Sequence, residues 1–562
     1  MIHTAGDSHA SPFSRLCGWI ATERTEIWVV VIYSIAIGVL SLVVPIATQS
    51  LVNTIAFGTL LQPLLVLSLL VFFGLICAAL LKTLRSHVVE VMQRRIFVRV
   101  SGESMERLLR VRIEAYDDDH GPELVNRFFD VVTLQKGGAT LLVEGLEVLM
   151  TTFIGMVLLG VYHPILLIFA VLIFASVLIV VFPLGIGAVR TAIGESEAKY
   201  ELAAWLQELA RHPATFKSLP GASFAIARSN AIVGAYLLER RAHWRVLIRQ
   251  IIGSHLMQAI GTAGVLGAGG WLVMQRQLTL GQLVAAELVV AASLASFSKF
   301  GKQLETYYDL LAAIDKLGYL SDLPSEPSGT ESVADGKSAS IELRQIGFSH
   351  HPGHALLHNL NVHIPAGCRF GITGEAGSGK STLVDLIYGL REPSTGTLLF
   401  NGSDYRKLKL YDLRGQIALA RGIEIFQGTV EENIRLGITD LDSAELRRIL
   451  SAVGLLESVE NLPRGLQTVL TTGGRPLTTG QSYRLMLARA LALRPQVLIL
   501  DEILDRMEDG PDLDALLEGL VHPDNYWTLI VVSRSKSVLK HCPQSIELNA
   551  GRIDEQGSHR SL

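Results

Sequence analysis

The stretch that decides the fold is Gly374–Thr382, which reads GEAGSGKST. Glycines at three of its positions let backbone N–H groups curl around an anion where side chains would otherwise intrude. In this pattern Lys380 reaches the terminal phosphates of a nucleotide, and the Ser381 hydroxyl ligates magnesium. The apolar run 370–372 indicates a strand entering the loop, and 381–388 indicates a helix leaving it. The predicted nucleotide-binding residues are Gly374, Glu375, Ala376, Gly377, Ser378, Gly379, Lys380, Ser381 and Thr382.

The composition divides the chain into two unlike parts. The 562 residues are 49% hydrophobic, and the apolar excess lies almost wholly before about residue 300. This composition predicts that the first part is a membrane domain in contact with membrane lipid. The net charge of -4 argues against nucleic acid as a partner. The four cysteines are scattered without metal or disulfide spacing.

Six apolar segments approach the roughly 20 residues that a helix needs to cross a bilayer. They are Ile27–Thr48, Leu60–Leu81, Leu141–Tyr162, Ile165–Ala188, Ile251–Met274 and Leu280–Ser298. The long connections 82–136 and 190–249 are rich in arginine and lysine, whereas the other connections carry little charge. We therefore expect both long connections, both termini and the phosphate-binding half to be cytoplasmic.

These observations predict an α-helical six-span membrane domain followed by an α/β phosphate-loop nucleotide-binding domain. The expected parts are a cytoplasmic N-terminal segment, 1–25, a transmembrane domain, 26–322, a linker, 323–340, and the nucleotide-binding domain, 341–562. The linker prediction rests on the polar run SEPSGTESVADGKSAS. Apolar and charged residues interleave in the long connections, so we expect the membrane helices to project into the cytoplasm and to turn near 116–124 and 205–216.

Three further motifs follow the phosphate loop in order. They are IFQGTVEENI at 425–434, LTTGQSYRLMLARAL at 477–491 and VLILDE at 497–502. With these motifs the chain, over about residues 15–555, resembles an ATP-binding cassette (ABC) exporter half-transporter of the type I exporter fold. The resemblance places the protein in a membrane, the inner membrane if its source is bacterial.

The resemblance implies ATP and Mg²⁺ as cofactors. By its motifs, Asp501 and Ser381 hold the metal, Glu502 polarises the attacking water, and His350 takes the place of the aromatic residue that stacks on adenine. The family signature, which binds the ATP of a second nucleotide domain, corresponds to Leu477, Thr478, Thr479, Gly480 and Gln481. Two such domains close head to tail, so the resemblance also implies a dimer.

Several positions depart from the family. Arg421 stands where the family has a glutamine that touches magnesium, and a guanidinium has donors but no acceptor. Arg534 replaces the switch histidine and cannot exchange protons near neutral pH. Thr479 adds a Cβ where the signature has glycine. We therefore expect a partly degenerate ABC-type ATPase site that binds ATP and hydrolyses it poorly, with Glu502 weakened by both arginines.

The sequence leaves several assemblies open. We expect a subunit of an ATP-driven exporter paired with a second half-transporter, favouring a different, catalytically competent one over a second copy. The runs 278–290 and 299–317 resemble membrane domains of type I secretion exporters, so a homodimeric exporter of peptide or protein cargo, working with a periplasmic adaptor, is an alternative. A further alternative is an ATP-gated regulatory or channel-like protein with little turnover.

Ionisable residues inside the predicted spans are candidate cargo contacts because burying a charge in hydrocarbon is costly. They are Glu144, Glu147, His255 and Glu287. Alternatively, they lie near the membrane ends or pair with residues of the other half-transporter.

Overall fold

The computed structural model describes residues 11–56, 61–118, 125–298, 300–351, 353–507, 510–522 and 524–554. The chain forms two compact units. The membrane unit comprises Met1–Val111 and Ala115–Pro324, and the nucleotide unit comprises Arg112–Glu114 and Ser325–Leu562.

The membrane unit is helical throughout its described part. Its α-helices are α1 Pro12–Thr22, α2 Arg24–Ser41, α3 Val43–Ala56, α4 Leu61–Arg110, α5 Ala115–Asp118, α6 Asp130–Thr140, α7 Leu146–Tyr162, α8 Pro164–Val181, α9 Ala188–Arg211, α10 Pro213–Phe216, α11 Leu219–Met274, α12 Leu280–Ser298 and α13 Phe300–Asp322. A 3₁₀ turn precedes α6, and a π-helical turn, Leu141–Gly145, joins α6 to α7. The predicted third span therefore continues a helix that begins earlier than expected.

Five helical segments of the described chain are long and apolar enough to cross a membrane. They are Arg24–Ile55, Leu64–Arg110, Arg127–Tyr162, Pro164–Val181 and Leu219–Met274. The predicted sixth span coincides with α12, Leu280–Ser298, a helix of 19 residues, and its crossing of the membrane stays a prediction. Large apolar side chains such as Leu70 and Phe72 lie exposed on α4, as expected of a surface that faces lipid or another apolar partner.

Proline shapes two of the predicted spans. The helix of the first span is interrupted at Leu42, because Pro45 has no N–H to donate to the Ser41 carbonyl, but the apolar segment continues to Ile55 and includes the whole predicted span. The fourth span ends at Val181 instead of continuing to Ala188, because Pro183 follows within a turn.

The long charged connections are helical, as predicted. α4 has 50 residues and α11 has 56, so each extends far beyond the roughly 20 residues that a bilayer requires. The predicted turn at 205–216 contains the end of α9 and the short α10. The other predicted turn, 116–124, overlaps α5, and its residues 119–124 lie outside the described residues.

The nucleotide unit combines parallel and antiparallel sheets with short helices. Its strands are β1 Ile341–His351, β2 His354–Ile364, β3 Arg369–Gly374, β4 Thr395–Phe400, β5 Ser403–Asp404, β6 Ile417–Ala420, β7 Gly428–Thr429, β8 Val469–Leu470, β9 Val497–Asp501, β10 Thr528–Val532, β11 Gln544–Asn549 and β12 Arg552–Ile553. Its α-helices are α14 Lys380–Tyr388, α15 Leu410–Gln416, α16 Val430–Arg435, α17 Ser443–Ala452, α18 Leu456–Glu460, α19 Thr479–Ala492, α20 Pro511–Val521 and α21 Lys536–Leu539.

The larger sheet positions the functional residues. Its strand order is β12-β11-β3-β10-β9-β6, and β11, β3, β10, β9 and β6 run parallel. The carboxyl ends lie in register: Ile372 pairs with Val532, and Val532 pairs with Asp501. Because ligands of open α/β sheets bind at the carboxyl ends of the strands, this edge is the expected site. A smaller antiparallel sheet has the order β2-β1-β4-β5.

The predicted linker, 323–340, lies between α13 and β1 and belongs mostly to the nucleotide unit. It contains a single-residue bridge between Glu331 and Leu408. Glu326 accepts two hydrogen bonds from Arg414, at 2.7 and 2.8 Å. The segment therefore lies against the nucleotide unit instead of hanging free of it.

Candidate nucleotide site

The phosphate loop has the backbone that its glycines predicted. Gly374 and Gly379 adopt φ values of 147° and 100°, in the left-handed region. A Cβ on Gly374 would come within 2.2 Å of the Leu548 carbonyl oxygen, and one on Gly379 within 2.5 Å of the Leu357 side chain. Gly374 is therefore required by space as well as by conformation, whereas Gly379 is required mainly by conformation. α14 begins directly after the loop, so its N-terminal N–H groups face the place where a phosphate would bind.

Lys380 lies inside the loop. Its Nζ donates to the carbonyl oxygens of Gly374, at 2.9 Å, and Glu375, at 2.8 Å. Burial lowers the pKa of Lys380, and the Glu502 carboxylate, 3.8 Å away, opposes that effect. Ser378 adds a buried hydroxyl that has no hydrogen-bond partner among the described residues. An ammonium, free N–H groups and an unpartnered hydroxyl fit a nucleotide phosphate well.

Arg421 occupies the centre of the site. It follows β6, and its guanidinium donates through Nε to Asp501 Oδ2 at 2.6 Å and through Nη1 to Asp385 Oδ1 at 2.7 Å. Its Nη2 donates to the backbone carbonyl of Ser381 at 3.2 Å. Burial lowers the pKa of Arg421, but the Asp385 and Asp501 carboxylates outweigh burial and raise it. The guanidinium thus lies among the residues that were predicted to hold magnesium.

The arrangement does not fit a bound Mg²⁺. The ion requires open oxygen ligands in octahedral geometry at about 2.1 Å. The Asp501 side chain is only 4% exposed, and one of its oxygens is already bonded to Arg421. Its other oxygen, Oδ1, is buried and has no hydrogen-bond partner in the described chain. Burial raises the pKa of Asp501, and Arg421 acts to lower it. The guanidinium of Arg421 therefore occupies the position that was expected to hold the metal.

Glu502, the predicted catalytic carboxylate, lies between two cations. Its Oε1 is 3.5 Å from Arg534 Nη2 and 3.8 Å from Lys380 Nζ. Its backbone has φ 52°, a left-handed conformation that is rare for a residue with a Cβ and occurs often at functional sites. Asp505 holds the neighbouring backbone by accepting hydrogen bonds from the Ser533 hydroxyl and the Arg534 N–H. Both cations therefore compete with a water molecule for the Glu502 oxygens.

The signature residues begin a helix. Thr478 caps α19: its Oγ1 accepts from the Gln481 N–H at 3.3 Å, and Gln481 Oε1 accepts from the Thr478 N–H at 2.9 Å. This reciprocal capping box fixes the start of the helix. Leu477 is buried, whereas Thr478, Thr479 and Gly480 are exposed and available to another molecule.

His350 lies in β1 and contacts Phe348 edge to face, with the ring centroids 4.9 Å apart. The structure thus gives this residue an aromatic neighbour, and its predicted role against adenine stays a prediction.

Sequence reasoning missed two acidic residues of the site. Asp385 bonds Arg421, and it lies four residues after Ser381 on the same face of α14, a spacing that could have revealed it. Asp505 follows Glu502 by three residues and belongs to none of the motifs named above.

The ionisable residues of the predicted spans have different surroundings. Glu147 bonds Arg85 Nη2 at 2.6 Å and Lys82 Nζ at 2.8 Å. The Arg85 side chain is 2% exposed and also donates to the Ser34 hydroxyl at 3.3 Å. Glu147 therefore neutralises a buried arginine of its own chain, where the sequence suggested cargo or a residue of the other half. Glu144 is exposed.

His255 is also exposed, whereas Glu287 is half-buried. The Glu287 Oε2 atom is buried without a hydrogen-bond partner among the described residues. A role of either residue in contacting cargo stays a prediction.

Comparison with known proteins agrees with the two-part organisation. Residues 357–505 match the ABC transporter family model, and residues 27–294 match the model of the ABC transporter transmembrane region. The fold is similar to that of a bacterial Atm1-family ABC exporter solved with ATP bound, with a TM-score of 0.84 and 19% identity over 95% of this chain and 96% of that chain.

Two of the curated relatives are named ATP-dependent lipid A-core flippase. The protein from Methylococcus capsulatus is 27% identical over 489 residues, which cover 84% of this chain and 78% of the relative. The protein from Ralstonia nicotianae is 32% identical over 259 residues, 45% of this chain and 43% of the relative. The chain spans only about half the length of most of the curated relatives that it matches.

The two family matches fall on the two units that the structure separates, and the motifs lie in the expected order at one edge of the parallel sheet. The chain therefore belongs to the ABC transporter family, as an integral membrane protein with one transmembrane region and one ATP-binding domain, and it has the fold of an ABC exporter.

Proposed function

We propose that this chain is the slow, ATP-retaining subunit of an ATP-driven exporter, paired with a different half-transporter that performs most of the hydrolysis. The observation that carries the proposal is the bond between Arg421 and Asp501, at 2.6 Å. In the family the position of Arg421 carries a glutamine that accepts as well as donates. A guanidinium can only donate, so it cannot orient an attacking water through that water's own hydrogens.

Arg421 and Arg534 should both weaken the hydrolysis of ATP, each through a different carboxylate. Arg421 engages the metal-side carboxylate, and Arg534 lies 3.5 Å from the carboxylate that would polarise the water. ATP binding should survive both changes, because Lys380 and the phosphate loop keep their full geometry and additional positive charge favours the phosphates. Retention without rapid turnover is the expected behaviour.

The retained signature favours an active role toward a partner. Thr478 and Gly480 are exposed at the capped start of α19, where they can reach a phosphate held by the loop of another chain. Two copies of this chain would combine two slow sites, and a competent partner would supply one fast site. We therefore favour the heterodimer over the homodimer.

The proposed setting is the cytoplasmic membrane, the inner one if the source is bacterial, with the nucleotide unit and both termini in the cytoplasm. The support is the concentration of arginine and lysine in the long connections 82–136 and 190–249. Relatives named lipid A-core flippases make an amphiphilic lipid a candidate cargo. The similarity of 278–290 and 299–317 to type I secretion exporters keeps a peptide or protein cargo with a periplasmic adaptor as the second candidate.

The decisive experiment isolates the chain from native membranes and identifies any half-transporter that accompanies it. ATPase activity is then measured for Glu502→Gln in this chain and for the matching change in the partner. The proposal predicts a small loss for the first variant and a near-complete loss for the second. Glu547→Gln, which changes an exposed carboxylate of the same unit, is the control and should leave activity unchanged.

Homodimeric particles with vigorous ATPase that Glu502→Gln abolishes would overturn the slow-site proposal. Channel-like conduction that responds to ATP without steady hydrolysis by any accompanying subunit would favour the regulatory alternative instead.

A further inference from the structure

The position between Ser381 and Asp501 already contains a cation. Arg421 reaches it from the end of β6 and bonds Asp501 Oδ2, Asp385 Oδ1 and the Ser381 carbonyl oxygen. Two of these three residues are the ones that the sequence assigned to magnesium. The guanidinium is held by two carboxylates in directions fixed by its planar fork, so it is a built part of the site.

Both aspartates at this position already have an arginine partner. Asp385 is shared by Arg421, at 2.7 Å, and Arg391, at 3.3 Å. Asp501 takes a second bond from Arg421, so two arginines face two aspartates. A divalent cation added here would meet a guanidinium within contact distance, and the Asp501 oxygen that is left unbonded, Oδ1, is buried.

The nucleotide itself would still need positive charge around its phosphates. Arg421 uses three of its donor directions, and a guanidinium has five N–H groups, so further N–H groups can donate to a phosphate oxygen. Its side chain is 30% exposed, whereas that of Asp501 is 4% exposed. The open side of the guanidinium therefore faces away from the aspartate. Lys380 and Arg534 add two more cations around Glu502.

We infer that Arg421 takes the place of Mg²⁺ in this site, so that the chain binds ATP without a divalent cation. The inference rests on the proposed ATP-binding function and departs from the magnesium role that the family resemblance implied for Ser381 and Asp501. It also explains how a site that hydrolyses ATP poorly can still retain it. The triphosphate is neutralised by side chains of the protein, which cannot dissociate as a metal ion can.

The test measures equilibrium binding of ATP to the purified full chain, with excess Mg²⁺ and with EDTA. For the unchanged chain the two dissociation constants should agree within about threefold, because the guanidinium replaces the metal charge. In Arg421→Gln, binding in EDTA should weaken by about tenfold or more while Mg²⁺ restores it, since Asp501 is released for the metal.

Matched variants separate this effect from misfolding. Arg406→Gln removes an exposed arginine of the same unit and should leave both constants unchanged. Arg421→Lys keeps the charge without the fork and should retain EDTA-resistant binding at lower affinity. If Arg421→Gln does not fold, Arg421→Lys and the unchanged chain still decide the question.

Two negative results have different meanings. ATP binding by the unchanged chain that disappears in EDTA would overturn the replacement of Mg²⁺ and leave the ATP-binding role intact. Absence of ATP binding in both conditions, together with no effect of Lys380→Ala, would overturn the proposed function as well.

Discussion

The contact between Arg421 and Asp501 can be tested by a double-mutant cycle on the free energy of unfolding. Arg421→Gln removes hydrogen bonds of 2.6 and 2.7 Å to two carboxylates. Asp501, whose side chain is 4% exposed, then remains buried without its counterion. Removing one partner of a buried ion pair costs about 3–5 kcal/mol, and we expect about 3 kcal/mol because the arginine itself is 30% exposed.

Asp501→Asn should cost less, because Arg421 keeps its bond to Asp385. The double variant places two neutral amides together, so its cost should fall short of the sum of the single costs by about 1–3 kcal/mol. The assay is thermal unfolding of the purified full chain without nucleotide. For domains of 150–250 residues about 1 kcal/mol corresponds to roughly 2–4 °C, so Arg421→Gln should lower the melting temperature by about 6–12 °C.

The same cycle has a pH signature. Burial raises the pKa of Asp501 above the ordinary value of 3.8, and Arg421 opposes the rise. Without the arginine, the pKa in the folded state rises further, so the folded chain keeps a proton that the unfolded chain releases. The deficit of Arg421→Gln is therefore full at alkaline pH and shrinks as the pH falls toward the ordinary Asp range. Single effects that add within about 0.5 kcal/mol, with a pH-independent deficit, would refute the ion-pair reasoning.

Three further predictions concern other parts of the chain. Glu147→Gln should destabilise the membrane unit by about 2–3 kcal/mol, because it removes a carboxylate partner of the buried Arg85. Glu144→Gln, at an exposed position, is the control. Equal thermal stabilities of the two variants in detergent would contradict the pairing. Thr478→Ala should cost about 1 kcal/mol by removing the cap of α19, whereas Thr479→Ala should change the unfolding free energy by under about 0.5 kcal/mol; chemical denaturation that ranks them in the opposite order would exclude the capping box. Burial and neighbouring carboxylates raise the pKa of Asp309 in α13 from 3.8 to about 6, so stability falls as the pH rises through that window. Asp309→Asn should remove this loss, which solvent screening limits to under about 1 kcal/mol, and melting curves at about pH 4 and pH 8 should diverge only at the higher pH.

The parts of the fold that the sequence predicted are those that local patterns determine. Glycines at 374 and 379 and the apolar run before them identified the loop and the flanking strand and helix. Long apolar segments identified the membrane helices, because the bilayer imposes a length that is visible in one dimension. The predictions failed at helix ends such as Val181, where the nearby Pro183 mattered more than continuing hydrophobicity.

The candidate site was predictable in its membership and not in its contacts. The family pattern identified Arg421 as unusual, and it predicted that a guanidinium, which has no acceptor, could not replace a glutamine that touches magnesium. Nothing in the sequence showed that the guanidinium would bond both Asp501 and Asp385, since these residues are 80 and 36 positions away along the chain. The pairing of Glu147 with Arg85, 62 positions apart, was hidden for the same reason. Such contacts depend on tertiary packing, which decides the direction of each side chain.

The unbroken length of α11 has a mechanical consequence. At about 1.5 Å per residue, its 56 residues form a rod of roughly 84 Å. A tilt of about 5° around its membrane end would displace the opposite end by about 7 Å, which exceeds the 5.4 Å pitch of a helix. Small rearrangements among the apolar segments would therefore be amplified at the turn that contains α10. The helix α11 acts as a lever because it has no hinge between the two ends.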